Sequence, residues 1–484
     1  MSLADLMNTD FSDDDEDDSD SDEDFDPNAL TSEGGGGGSF GEDGVYGVPY
    51  DTDDVSDDGT ADPDDEMPSD EIRFSHEAYF SPRVKQLLDG SMAGGDPASQ
   101  TGLLTGLRPM LLHQTNSPHP ERPARMVAIL NEICEQGLDK RCKLVPTRVA
   151  TEDDVALVHD TDFVYNAISK YPSDEAATAA LGLDSDTYFS GSASGYATLL
   201  AAGSVTELTT RVAQGELRNA FAIARPPGHH CETRTAMGFG LLNNIGAAVA
   251  VVRKRFGVGR VLILDWDVHH GNGIQEIFES DPNVLYVSTH RYGNGFYPGT
   301  GHPTECGTNE GAGTSVNMAW SGTNYGDREY LAAFDRLIMP IAREYGPELV
   351  IVAAGFDAAL GDPLGEMRLT PVGYAHMTAQ LASLAGGKIV VALEGGYDLH
   401  SLSKSSAACL SVLCGDAPPP LPRGPVLPQA LGDIEAVVAT LAPYWTCLRP
   451  SKPTAGLESG AAKKRRRSAI KKRKFRGPWW HRYF

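Results

Sequence analysis

The stretch Arg260-Val261-Leu262-Ile263-Leu264-Asp265-Trp266-Asp267-Val268-His269-His270-Gly271-Asn272-Gly273 decides how the rest of the chain is read. Four apolar residues run without interruption into two acids and two histidines. A run of that kind, bounded by Gly257 and Gly271, predicts a central parallel strand buried on both faces. Ligands of open α/β sheets collect at the carboxyl ends of strands, and the two-residue period places Asp265, Asp267 and His269 on one side there. An acid and an imidazole two residues apart offer one hard oxygen and one nitrogen, a pair suited to a divalent metal such as zinc.

Other strand ends point to the same place. Leu349-Val350-Ile351-Val352-Ala353-Ala354 runs into Gly355-Phe356-Asp357, a third ligand candidate in the equivalent position. Arg225-Pro226-Pro227-Gly228-His229-His230 adds two adjacent histidines after a rigid turn, and Val390-Val391-Ala392-Leu393-Glu394-Gly395-Gly396-Tyr397 closes a further strand with a tyrosine.

Taken in this order, the blocks resemble a zinc-dependent histone deacetylase of the arginase/deacetylase fold, class II-like, from about Gly102 to Trp445. His119-Pro120-Glu121-Arg122-Pro123-Ala124-Arg125, Met237-Gly238-Phe239-Gly240 and Gly295-Phe296-Tyr297-Pro298-Gly299 belong to the same resemblance. It implies one zinc on Asp267, His269 and Asp357, with His230 as general base, His229 orienting water, and Asp265 and Asn272 as their respective partners. Many relatives have Asp where Asn272 stands, and a neutral partner leaves His230 less basic. Tyr397 would donate to the oxyanion; class IIa relatives carry His there, so the tyrosine implies a competent deacetylase. Phe239 and Tyr297 would wall a narrow tunnel, with Gly238 permitting close packing. The resemblance also implies structural potassium on main-chain oxygens of Asp265, Asp267, His269 and Ser288.

Alternatives within the fold are weighed by single positions. An arginase-like ureohydrolase needs further carboxylates for a second ion, but Asp357 is followed by Ala358-Ala359. Polyamine-preferring relatives place an acid at the pocket mouth, where this chain has Leu364. A non-catalytic scaffold is disfavoured by the complete set of ligands, base and tyrosine.

The alternation of strands at 221–224, 261–265, 284–288, 349–354 and 389–393 with helices at 242–256, 328–344 and 371–385 predicts a single large α/β domain. Its mostly parallel β-sheet is expected to be covered by helices on both faces. Leu111-Leu112-His113 reads as the first strand, Asp153 to Ile168 and Ala197 to Val212 as helices, and Pro82 to Leu88 as a short helix. The loop at Pro118 to Pro123, with Arg122 and Arg125, is expected to shape a rim of the pocket. Pro418 to Pro422 reads as a packed connector to a last amphipathic stretch ending at Tyr444-Trp445.

Charge divides the chain. All of its net charge of −27 lies in the first 71 residues, which hold 27 acids and no Lys or Arg, while the remaining 40 acids balance 40 bases. The expected organisation is a disordered acidic tail at 1–72, a connector at 73–100, the catalytic domain at 101–446 and a basic tail at 447–484. Ser12, Ser19 and Ser21 resemble acid-directed kinase sites. The clusters Lys463 to Arg467 and Lys471 to Lys474 read as a nuclear localisation signal for importin, which the acidic tail is expected to mask. Seven scattered cysteines without a CxxC pair suggest a reducing compartment. The acidic start and the lack of an 18-residue apolar run argue against a signal peptide or a membrane span. The resemblance implies a nuclear or nucleocytoplasmic protein that acts on acetylated histone tails or other acetylated proteins, with a corepressor complex as partner.

Overall fold

The computed structural model describes Glu77 and residues 80–168, 174–421 and 424–449. The acidic tail with its three serines, the basic clusters and the aromatic residues Trp479, Trp480, Tyr483 and Phe484 lie outside the described residues. Among those described, eight strands form one parallel sheet: β1 (Thr101–Thr105), β2 (Lys143–Pro146), β3 (Asn219–Ala222), β4 (Val261–Asp265), β5 (Val284–Ser288), β6 (Ser315–Asn317), β7 (Leu349–Ala354) and β8 (Ile389–Leu393). Their order across the sheet is β2-β1-β3-β8-β7-β4-β5-β6. Every residue of β4, β5, β7 and β8 is buried, as apolar runs covered on both faces require.

The helices that matter for the site are α1 (Pro82–Leu88), α2 (Ala124–Glu135), α3 (Gly191–Gln214), α4 (Asn244–Phe256), α5 (Asn272–Phe278), α6 (Pro371–Ala382), α7 (Leu399–Leu413) and α8 (Pro428–Leu441). Helices α3 and α4 pack on each other, and α7 packs on both α2 and α6, so two helical layers enclose the sheet. In α1, Val84, Leu87 and Leu88 are fully buried in the same apolar core as the sheet. No helix among the described residues is long and apolar enough to cross a membrane.

The sheet order explains where the site lies. Strands β3, β8, β7 and β4 are consecutive neighbours, joined in register through pairs such as Ala222 with Ala392, Ala354 with Leu393, and Asp265 with Ala353. The segments that follow these four strands therefore leave the same edge side by side.

Three local expectations need correction. Leu111-Leu112-His113 is not a strand. Arg108–Leu112 forms a 3-10 helix, because Pro109 fixes φ and has no N–H for a ladder; the first strand is β1. The predicted helix from Asp153 to Ile168 is broken into Glu152–Val155 and Thr161–Ile168. The break lies where the Asp160 carboxylate caps the second helix, accepting from Asp162 N at 3.0 Å and Phe163 N at 3.4 Å. Arg125 does not sit on a rim. It lies on α2, fully buried, and its role emerges at the site.

Candidate active site

Strand β4 ends at Asp265, and the chain then turns so that its carboxylates cap their own backbone. Asp265 Oδ1 accepts from Asp267 N at 3.1 Å, and Asp267 Oδ1 accepts from His269 N at 2.9 Å. Asp357, which follows β7, accepts from Val268 N at 2.8 Å. Gly395, which follows β8, donates its N–H to Asp267 Oδ2 at 2.9 Å. These bonds fix the two carboxylates from neighbouring strands before any ligand binds.

The result is a compact donor set. One ligand atom from each of Asp267, His269 and Asp357 lies within 4.8 Å of the others. His269 Nδ1 stands 3.0 Å from Asp267 Oδ1 and 3.1 Å from Asp357 Oδ2. The backbone comes so close that a Cβ on Gly355 would fall 1.9 Å from Asp267 Oδ2, so only glycine fits behind the acids. Burial raises the Asp357 carboxyl to about 7, with Asp267 adding to the rise. Burial lowers His269, but the two carboxylates outweigh it and hold the imidazole up at about 10. Both shifts mark a position that favours positive charge. Two acids and an imidazole fit zinc with an open coordination position.

The histidine pair leaves β3 after Pro226-Pro227. Glu394 accepts from Gly228 N at 2.7 Å and His229 N at 3.1 Å, anchoring the turn to the end of β8. His229 Nδ1 donates to Asp265 Oδ2 at 3.0 Å, and Tyr286 donates to the same oxygen at 3.0 Å. His230 Nδ1 lies 2.8 Å from Asn272 Oδ1 at the start of α5. The rings of His229 and His230 are 4.0 Å apart. Burial opposes charge on both, but Asp267 and Asp265 push His229 up to about 10. Burial, with His229 and His269 nearby, takes His230 well below the ordinary range.

Tyr397 is held from behind. Its N–H donates to Asp362 Oδ2 at 2.7 Å, and the Arg125 guanidinium lies 5.1 Å from its ring centroid. Arg125 also donates to the carbonyls of Gly396 (2.6 Å) and Glu394, so this arginine braces the tyrosine loop from inside. Burial raises the Tyr397 hydroxyl well above its ordinary value, keeping it a donor.

The predicted walls are also placed. Phe239 meets Tyr397 edge to face at 5.8 Å, and a Cβ on Gly238 would lie 2.2 Å from His230 Cδ2. Tyr297 lies edge to face with His230 at 5.1 Å and donates its hydroxyl to Asp184 at 3.1 Å. Phe296 stacks flat on His269 at 5.1 Å. Leu364 is 36% exposed, its N–H held by Asp362 at 2.9 Å. Ser288 is the register partner of Asp265 on β5.

Residues 119–413 match the family described as histone deacetylase domain. The chain belongs to the histone deacetylase family. It is 42% identical over 356 residues to histone deacetylase clr3 of Schizosaccharomyces pombe, covering 70% of this chain and 52% of that protein. With human histone deacetylase 7 the identity is 40% over 408 residues, covering 74% and 43%. The chain thus spans about half the length of these family members. A solved structure, the crystal structure of the HDA15 HD domain, matches with a TM-score of 0.65 and 41% identity, over 72% of this chain and 96% of that one.

The family expectation did not include Arg125, Glu394 or Asp362 among residues that position the site. Glu394 lies within a quoted block and Asp362 stands two residues before Leu364, but only the fold shows which N–H groups they receive.

Proposed function

We propose that this chain is a zinc-dependent hydrolase that removes acetyl groups from N6-acetyl-lysine of histones and other proteins, acting in chromatin and transcriptional repression. The observation that carries this reading is the meeting, at the ends of four neighbouring strands, of the Asp267, His269 and Asp357 donors with His229, His230 and Tyr397.

Zinc held by Asp267, His269 and Asp357 would supply Lewis-acid polarisation and lower the pKa of water to about 7. His230, kept neutral, takes the proton of the attacking water at Nε2 and returns it to the leaving lysine amine. His229, kept charged by Asp265, orients the water and contributes positive potential. Tyr397 donates its hydroxyl to the oxyanion that develops on the acetyl carbonyl. Phe239 and Tyr297 line the passage for the lysine methylenes, and Gly238 lets the backbone pack against His230. Uncharged Leu364 at the mouth favours a protein lysine over a second amine. Main-chain oxygens of Asp265, Asp267, His269 and Ser288 would hold structural potassium, the first and last being register partners.

The nucleus, with shuttling to the cytoplasm, is the proposed location, supported by the basic clusters at 463–467 and 471–474 as importin ligands. A corepressor complex is the proposed partner. The catalytic reading is tested by incubating the full chain, loaded with zinc, with an acetyl-lysine peptide and measuring acetate and free lysine. Turnover is expected, with Tyr397→Phe roughly 10²–10³-fold slower. Wild-type turnover in that variant, or none by a folded, zinc-replete chain, would overturn the reading.

A further inference from the structure

An asparagine beside a histidine leaves a question that an aspartate would not. Asp can only accept from the ring, so it fixes Nδ1 as the protonated nitrogen. An Asn amide turned one way accepts from Nδ1–H, and turned the other way donates to an unprotonated Nδ1. The second arrangement puts the proton on Nε2 and abolishes the lone pair a general base needs. Something other than His230 must therefore set the Asn272 amide.

The far end of that amide meets acceptors only. Asn272 Nδ2 lies 2.7 Å from Glu232 Oε1 and 3.3 Å from Met237 Sδ. A carboxylate and a thioether accept and do not donate, so the NH₂ group must face them and the carbonyl must face His230. The placement of Glu232 is itself secured. Its N–H donates to Thr235 O at 3.0 Å. The next residue, Thr233, donates its N–H and hydroxyl to Glu276 at 2.8 and 3.0 Å. Glu276 lies one turn along α5 from Asn272, so the segment that carries Glu232 is clamped to the helix that carries its partner.

We propose that Glu232 is a positioning residue: it fixes the orientation of the Asn272 amide, and through it the Nδ1–H tautomer of His230. The inference rests on the reading of His230 as general base. Glu232 touches neither substrate nor the metal ligands in this scheme; it acts through Asn272 alone.

The test reverses the polarity of the relay. Glu232→Lys presents only donors, so Asn272 is expected to turn its carbonyl to the lysine and its NH₂ to His230, moving the ring proton to Nε2. Adding Asn272→Asp restores an acceptor on both sides. With the full, zinc-loaded chain and an acetyl-lysine peptide, kcat should fall about 10–100-fold in Glu232→Lys with little change in KM. The double variant should recover most of it. The second readout does not need turnover. Nitrogen-15 spectra of histidine-labelled protein, with His230 assigned by its loss in His230→Ala, should show Nδ1 protonated in the wild type and Nε2 protonated in Glu232→Lys. A tautomer and kcat that both ignore Glu232→Lys would overturn the positioning role while leaving the enzyme intact. A tautomer that follows Glu232 in a zinc-replete chain without turnover would keep the positioning role and overturn the deacetylase reading.

Discussion

The floor and the side wall of this pocket solve opposite problems with the same residue type. On the floor, at the ends of β4 and β7, buried carboxylates gather around His269 and His229 and drive both imidazoles toward charge. On the wall, the turn after β3 presents His230 to a neutral amide, and burial drives that ring toward neutrality. Two histidines adjacent in sequence thus end with their ionisation pushed apart. Such a split is what separates a group that stabilises charge from one that moves a proton. Asp267 and Asp265 beside His229, against the neutral Asn272 beside His230, contribute to the difference.

The largest expected effect comes from removing the neutral member. His230→Ala should lower kcat by about 10²–10⁴-fold on an acetyl-lysine peptide, with the metal still bound. Next in size, Asp265→Asn gives His229 the kind of partner that His230 has. Turnover should fall about 10–100-fold. If both variants were equally and severely impaired, the division of labour between floor and wall would be wrong.

A third region, behind the wall, tests whether the frame that aims Tyr397 is structural. Glu121 is fully buried and receives Arg225 at 2.8 and 2.7 Å, Arg125 at 3.2 Å and the Tyr188 hydroxyl at 2.9 Å. Burial opposes its charge, but Arg225 and Arg125 hold the carboxyl well below its usual range. Glu121→Ala leaves two guanidinium groups without their carboxylate and should cost about 3–5 kcal/mol, read as a fall in urea midpoint. Glu121→Gln should cost less.

The smallest effect is set by pH. Burial depresses His113 to about 3, and His159 and His290 to about 4, against an ordinary value of 6.5. Between those limits each of these three rings binds fewer protons in the folded than in the unfolded chain, so its contribution to stability is full above about pH 6.5 and falls as pH drops toward 4. The fall in thermal midpoint from pH 7.5 to 5.0 should therefore be smaller in His159→Gln than in the wild type, and an equal fall would remove His159 from the account.

How much of this was legible in the sequence depended on the length and purity of each signal. Strands β4, β5, β7 and β8 are uninterrupted apolar runs, and the candidates Asp267, Asp357 and Tyr397 lie just beyond β4, β7 and β8. Strands β1, β2 and β6 are three to five residues long, with Gly102, Pro146 or polar ends, and a pattern of that length carries little period. Leu111 and Leu112 misled because two adjacent apolar residues say nothing about which side of Pro109 a strand occupies. The break before Thr161 was legible in Asp160, a capping residue. Arg125 was not, because a buried arginine is explained by partners such as Gly396 and Glu394, which lie some 270 positions away. Asn272 was named as the partner of His230, and its Oδ1 lies 2.8 Å from that ring, but Glu232 behind it became visible only when the fold brought α5 against the turn.

The most direct test of the central claim is metal-dependent turnover. The whole chain should bind one zinc by elemental analysis, and acetyl-lysine hydrolysis should rise in proportion to zinc restored after chelation. Asp267→Ala should lose both together. Hydrolysis that persists undiminished in the chelated chain, or in a folded Asp267→Ala protein that binds no zinc, would contradict the account.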